Sequence, residues 1–112
     1  MIGNYYNYYK YFNMMNKKEF NKWLTTHEFA NNIWKKYRGK RIKRKGDTDD
    51  NTIGIVIGMN TGCNALIVQY NLGWNIKIDE KHDSYYDKEL CKNSDCAWYV
   101  NPSEISIVKA EG

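Results

Sequence analysis

GKRIKRKGDTDDNTIGIVIGM, residues 39–59, is the stretch on which the fold turns. Upstream of it apolar residues recur every three or four positions; inside it the period drops to two. Arg41-Ile42-Lys43 opens a strand, and Gly46 to Asn51 is turn chemistry throughout. Ile53, Ile55, Ile57 and Met59 then alternate with Gly54, Val56 and Gly58, the mark of a strand. Downstream, Asn60-Thr61-Gly62 turns the chain and Leu66, Val68 and Tyr70 alternate again. Asn71-Leu72-Gly73 is a second tight turn before Trp74, Ile76 and Ile78. A long polar loop is expected from Asp79 to Asp95, then a strand from Ala97 to Val100. Asn101-Pro102-Ser103-Glu104 reads as a one-turn helical connector, and Ile105 to Val108 as the closing strand. Five or six short antiparallel strands joined by tight turns argue a small barrel, because an open sheet of this size leaves edges that aggregate.

Towards the N-terminus, Phe20, Trp23, Leu24, His27, Ala30, Ile33, Trp34 and Tyr37 fall on one helical face that must lie against something. Asn16 with Glu19, and Thr25 with Glu28, have capping-box spacing, so helices are expected over residues 17–24 and 26–38, separate or run together. Gly39 supplies the stop. His27 is expected to be a half-buried helix histidine, with no second histidine at helical spacing to make a metal pair. In residues 1–15, Tyr5, Tyr8, Tyr9 and Phe12 share helical spacing, and the segment reads either as a docked helix or as a tail upstream of a second start at Met14 or Met15. The expected organisation is a Tyr/Asn-rich segment over 1–15, a helical segment over 16–38 and a barrel over 39–112.

At 112 residues, with 42% hydrophobic and 15% aromatic content, the chain has material for one core and no room for a second full domain. No run approaches the roughly 20 apolar residues of a membrane span, and the first fifteen residues lack the pattern of a signal peptide. Three cysteines, an odd number without framework spacing, fit a reducing compartment, so a cytoplasmic location is expected.

The net charge of +4 conceals a segregation. Lys35, Lys36, Arg38, Lys40, Arg41, Lys43, Arg44 and Lys45 place eight positive charges in eleven residues with no carboxylate among them, whereas residues 46–112 carry a net −6. A basic stripe on an acidic body is the footprint of a nucleic-acid backbone or an acidic protein surface; the alternative is a solvated helix end and strand face. Trp34 and Tyr37 stand at the start of the stripe, where rings among cations stack on bases; equally, Trp34 packs the helix onto the barrel and Tyr37 covers its edge. The loop after residue 78 carries Asp79, Glu80, Asp83, Asp87 and Glu89 with Tyr85 and Tyr86, a composition suited to protein recognition and equally to solvation.

The run from Gly39 to Met59, together with ALIVQYNLGW and WYVNPSEISIV, resembles the SH3-like barrel superfamily, in particular KOW-like modules and the small barrels of phage genomes. Gly54-Ile55-Val56 matches the strand after the polar loop. Trp98-Tyr99-Val100-Asn101-Pro102-Ser103-Glu104-Ile105 matches the ending that carries the one-turn helix. The resemblance covers residues 39–108. It implies a small antiparallel barrel and no particular activity; with the helices read from periodicity, the expected fold is α+β, an N-terminal helix or helix pair packed on a five- to six-stranded antiparallel SH3-like barrel.

Chemistry finds little footing. Cys63, His82, Cys91 and Cys96 are the one set that resembles a zinc site, but only one pair has ligand spacing, so no metal and no cofactor is expected. Asp47, Asp49 and Asp50 form an ordinary acidic turn without the glycine and distal glutamate of a calcium loop. Neither histidine has a triad partner, so neither an enzyme nor a small-molecule substrate is expected. The leading expectation is a binding protein of phage or mobile-element origin that engages nucleic acid or a host nucleoprotein complex through residues 35–45. A protein-binding inhibitor of host defence, anti-CRISPR-like and working through the acidic tyrosine loop, is the second reading. A virion or assembly component, built on the Tyr5 to Phe12 face, is the third.

Overall fold

The computed structural model describes residues 15–47, 53–70, 84–90 and 97–109. They form an α+β fold: helices α1 (Lys17–Thr25) and α2 (Glu28–Tyr37), then strands β1 (Arg41–Arg44), β2 (Gly54–Asn60), β3 (Ala65–Tyr70), β4 (Ser84–Tyr86), β5 (Ala97–Val100) and β6 (Ile105–Ile107), with a one-turn 3-10 helix at Pro102–Glu104 before the last. The Tyr5 to Phe12 face, the strand expected at Trp74 to Ile78, and Asp49 and Asp50 lie outside the described residues.

The Asn16 cap forms as its spacing requires. Its Oδ1 accepts the Glu19 amide at 2.8 Å, and its Nδ2 donates to the Glu19 carboxylate at 2.6 Å. The second expected cap does not form, because Thr25 is still inside α1 and its hydroxyl donates to the Lys22 carbonyl at 2.6 Å. Thr26 ends α1 and His27 precedes α2 without a side-chain cap, so the helices are separate and α2 starts two residues later than expected. His27 is exposed rather than half-buried, and its ring stacks on Trp23 with centroids 4.2 Å apart. At the far end of α2, Gly39 takes a φ of +69°, a left-handed value that spares glycine the Cβ clash, and its amide donates to the Val56 carbonyl.

The strands are antiparallel in the order β5-β3-β2-β1-β6, with β4 on β2 beside that path. No ladder between β5 and β6, the ends of that order, occurs among the described residues. β2 serves two partners on one edge: Ile55 and Gly54 pair with Arg41 and Ile42, while Gly58, Met59 and Asn60 pair with Tyr86, Tyr85 and Ser84. What allows this is a bulge. The register with β3 runs Val56 to Val68 and then Gly58 to Ile67, leaving Ile57 extra. One extra residue exchanges the two faces, so Val56 and Met59, three apart, enter the same core. The simple alternation read from the sequence, with Ile57 and Met59 on one side, is therefore corrected at this point.

The main core joins both layers. Phe20, Leu24, Ala30, Trp34 and Tyr37 of the helices meet Ile42, Val56, Met59, Leu66, Val68, Tyr85, Val100 and Ile105. Phe20 is its centre, stacked on Tyr85 at 4.3 Å and edge-on to Trp34 at 5.3 Å. A second cluster of Ile57, Ile67 and Ala97 lies on the opposite face of the sheet, with Ile55, Tyr86 and Leu90 packed against it. The expected long loop from Asp79 to Asp95 thus contains a strand and a packed turn. Gly58 makes this approach feasible: a methyl there would fall on the Tyr85 carbonyl and within 2.7 Å of the Tyr86 Cα.

Candidate functional site

Period two divides the basic stripe. Ile42 is wholly buried, so Arg41 and Lys43 project from the other face of β1, Arg41 exposed and Lys43 half-buried, and Lys45 is exposed in the turn that follows the strand. Hydrogen bonds on both sides hold this strand: β2 pairs along one edge, β6 along the other, and the Lys45 amide continues the ladder to the Glu104 carbonyl at 3.0 Å. Arg44 goes the other way, towards Tyr70 and Asp47. Burial raises the Tyr70 phenol above its usual value, while Arg44 nearby pulls it down and Asp47 pushes it up.

The rest of the stripe lies at the end of α2. Lys35 and Lys36 are exposed in its last turn, with the Lys36 ammonium 5.2 Å from the Tyr37 ring centroid. Lys40 is exposed in the connector to β1. Arg38 is committed elsewhere, since its Nη2 donates to the Asp87 Oδ2 at 3.1 Å. The interleaved rings are not available for stacking: Trp34 is 6% exposed and Tyr37 8%. Trp34 therefore packs the helix onto the sheet, as one of its two readings had it.

The acidic segment has a different fate. Tyr85 is 6% exposed and Asp87 5%, and Tyr86 is half-buried against the second cluster. The Asp87 amide donates to the Ile57 carbonyl at 2.7 Å, and its Oδ1 accepts the Glu89 amide at 2.9 Å. With Arg38 on its second oxygen, Asp87 clamps the end of α2 to the strand below it. Burial first, then the Asp87 charge, lifts the Tyr85 phenol above its usual value, with Arg38 opposing and Glu89 adding a small push. Of the residues proposed for the protein-binding loop that the structure describes, Glu89 alone is exposed. Asp79, Glu80 and Asp83 lie outside the described residues. Nothing in the sequence signals the clamp, whose partners stand 49 positions apart.

A polar network among the described residues joins β2, β4 and β5. Buried Asn60 accepts the Gly62 and Cys63 amides at 2.9 and 3.1 Å and donates to the Ser84 hydroxyl, which lies 2.9 Å from the Tyr99 hydroxyl. It closes the β2–β3 turn and ties it to β4, which is a structural task. Cys63 is an exposed free thiol, and no group of three or more potential metal ligands occurs among the described residues. His82, Cys91 and Cys96 lie outside them. Nor is any described helix long and apolar enough to cross a membrane. Comparison with known proteins gives no matching family, no similar curated protein and no similar solved structure.

Proposed function

We propose that the chain is a small non-enzymatic binding protein of phage or mobile-element origin, built on an SH3-like barrel. It engages nucleic acid or a host nucleoprotein complex through the basic face formed by the end of α2 and by β1. The observation that carries this is the disposition of the cations. Lys35, Lys36, Lys40, Arg41 and Lys45 stand exposed at the end of α2, in the connector, on β1 and in the turn after it, and among the described residues the ion pair of the stripe is Arg38 with Asp87. The barrel reading draws support from the strand order, from the bulged β2 shared between two partners, and from the 3-10 turn that precedes β6. The phage or mobile-element origin rests on the resemblance alone.

The acidic-loop reading is the weaker one, because Tyr85 and Asp87 offer a partner little surface. The test is fluorescence anisotropy of labelled DNA and RNA, single- and double-stranded, at two salt concentrations. Wild type is compared with the variant Lys40→Ala/Arg41→Ala/Lys43→Ala/Arg44→Ala. Salt-sensitive binding that the variant loses supports the basic face. No binding at low salt refutes it and sends the search to protein partners.

A further inference from the structure

The cations of the basic face continue along α2 into a ring. Phe29 is 72% exposed, more than any other large apolar side chain among the described residues. A lone exposed apolar residue is ordinary on a protein surface, so its meaning depends on where it stands. Seven residues make nearly two turns of helix, which puts Phe29 and Lys36 on one face of α2, about 10.5 Å apart along the axis. Asn32, also exposed, lies between them, three residues on from Phe29 and four before Lys36, with an amide that both donates and accepts. Lys35 and Lys40 are exposed close by, in the last turn of α2 and in the connector. Just before the helix His27 is exposed too, its ring stacked on Trp23 with centroids 4.2 Å apart.

α2 thus runs from rings to cations. Glu28, exposed in its first turn, repels negative charge there, so a uniform polyanion laid along the helix meets attraction at one end and repulsion at the other. A nucleotide suits both ends, because its phosphate pairs with lysine and its base offers a neutral flat face to a ring. In a duplex those faces are already stacked on one another; in a single strand they are open. Proteins that hold single strands combine cations with aromatic platforms in this way, and phenylalanine and histidine are among the rings used. Resting on the basic-face reading, we infer that the ligand is a single strand of nucleic acid that lies along α2, with a base stacked on Phe29 and neighbouring phosphates held by Lys35, Lys36 and Lys40.

The experiment uses the full chain and anisotropy of a labelled single strand of about 20 nucleotides, the duplex it forms with its complement, and labelled polyglutamate, across about 50 to 200 mM salt. The strand should bind at least about fivefold more tightly than the duplex or polyglutamate. Phe29→Ala should weaken strand binding by about fivefold or more and leave the salt slope unchanged, because no charge is lost. Phe29→Leu, apolar without a ring, should weaken it as much, and Phe29→Trp should bind at least as tightly as wild type. Lys35→Gln/Lys36→Gln should lower the slope of log affinity against log salt by about 1.4, at about 0.7 for each phosphate contact on a single strand. Each replaced side chain is exposed, so circular dichroism should match wild type throughout. Phe29→Ala within about twofold of wild type on the strand, Phe29→Leu binding as wild type does, or duplex or polyglutamate bound as tightly as the strand overturns the inference. If the lysine variant still loses affinity and slope in that case, the basic face stands without the ring. Absence of all nucleic-acid binding overturns both.

Discussion

Residues 35–45 and residues 84–90 both mix charge with tyrosine, and the fold treats them in opposite ways. In the first, a single buried position on β1, Ile42, anchors the strand and the cations around it stay outside. In the second, Tyr85 fills the gap between the helix pair and β2, and drags its neighbour Asp87 out of water. The difference lies in what each segment covers. β1 is held by backbone ladders on both edges and needs little from its side chains, whereas β4 has three residues, one ladder, to β2, among the described residues, and the ring it contributes to the core. Charge alone therefore does not mark a surface. A carboxylate goes inside when a ring beside it is needed there and an arginine stands ready, as Arg38 does, to meet it.

The largest effect that would break this comparison is on stability. Tyr85→Ala removes a ring that stacks on Phe20 and meets Trp34 edge-on, and should cost about 3–5 kcal/mol in chemical denaturation. A cost within about 0.5 kcal/mol, the usual figure for an exposed site, would return the segment to the surface. Gly58→Ala attacks the same seam from β2. The added methyl meets backbone, which cannot rotate away, so β4 must lift from its partner at a cost of about 2–3 kcal/mol. Hydrogen exchange should quicken at the Asp87 amide, which donates to Ile57, and stay slow at Val68 in the body of the sheet.

How far each region was legible follows from range. The helix pair, the strands of residues 41–70 and the 3-10 turn come from periods and turn residues a few positions apart, and the sequence carries those locally. Three features are not local. In Gly54–Asn60 both faces are buried, so no polar residue before Asn60 marks the phase and the bulge at Ile57 is invisible. Ser84–Tyr86 is too short for a period to show, and its pairing is set by a strand more than twenty residues earlier. The Thr25 to Glu28 spacing was correct, but Thr25 had a nearer carbonyl within α1 to bond. At the candidate site the cations were legible because lysine and arginine stay in water by default. The partition of the stripe was not, because it depends on Asp87 claiming Arg38 and on Tyr70 lying beside Arg44.

A smaller effect separates the regions by titration. The Tyr85 phenol is raised chiefly by burial, so the folded state favours the neutral ring. That stabilisation is complete below the ordinary phenol value near 10 and is lost as pH rises through the folded value, so stability should fall in the alkaline range. Tyrosinate absorbance should show Tyr85 ionising late. Asp87→Asn removes the negative neighbour and should bring that ionisation to lower pH, and Arg38→Gln should delay it further. Shifts in the reverse sense would deny that Arg38 and Asp87 face the ring.

The smallest expected effect belongs to the basic face, and its smallness is informative. Arg41→Gln/Lys43→Gln changes side chains that project into or towards water and that pair with no carboxylate among the described residues. Thermal unfolding should therefore move by no more than about 0.5 kcal/mol, and at low salt it should rise, because two like charges on adjacent positions of one strand face repel. Added salt screens that repulsion within about 10 Å at 0.1 M, so the gain of the variant over wild type should shrink as salt rises. A clear loss of stability instead would mean that the cations are fastened within the fold, as Arg38 is to Asp87. The two regions would then differ in sign of charge and no longer in role, and β1 would have no cations to spare for a partner.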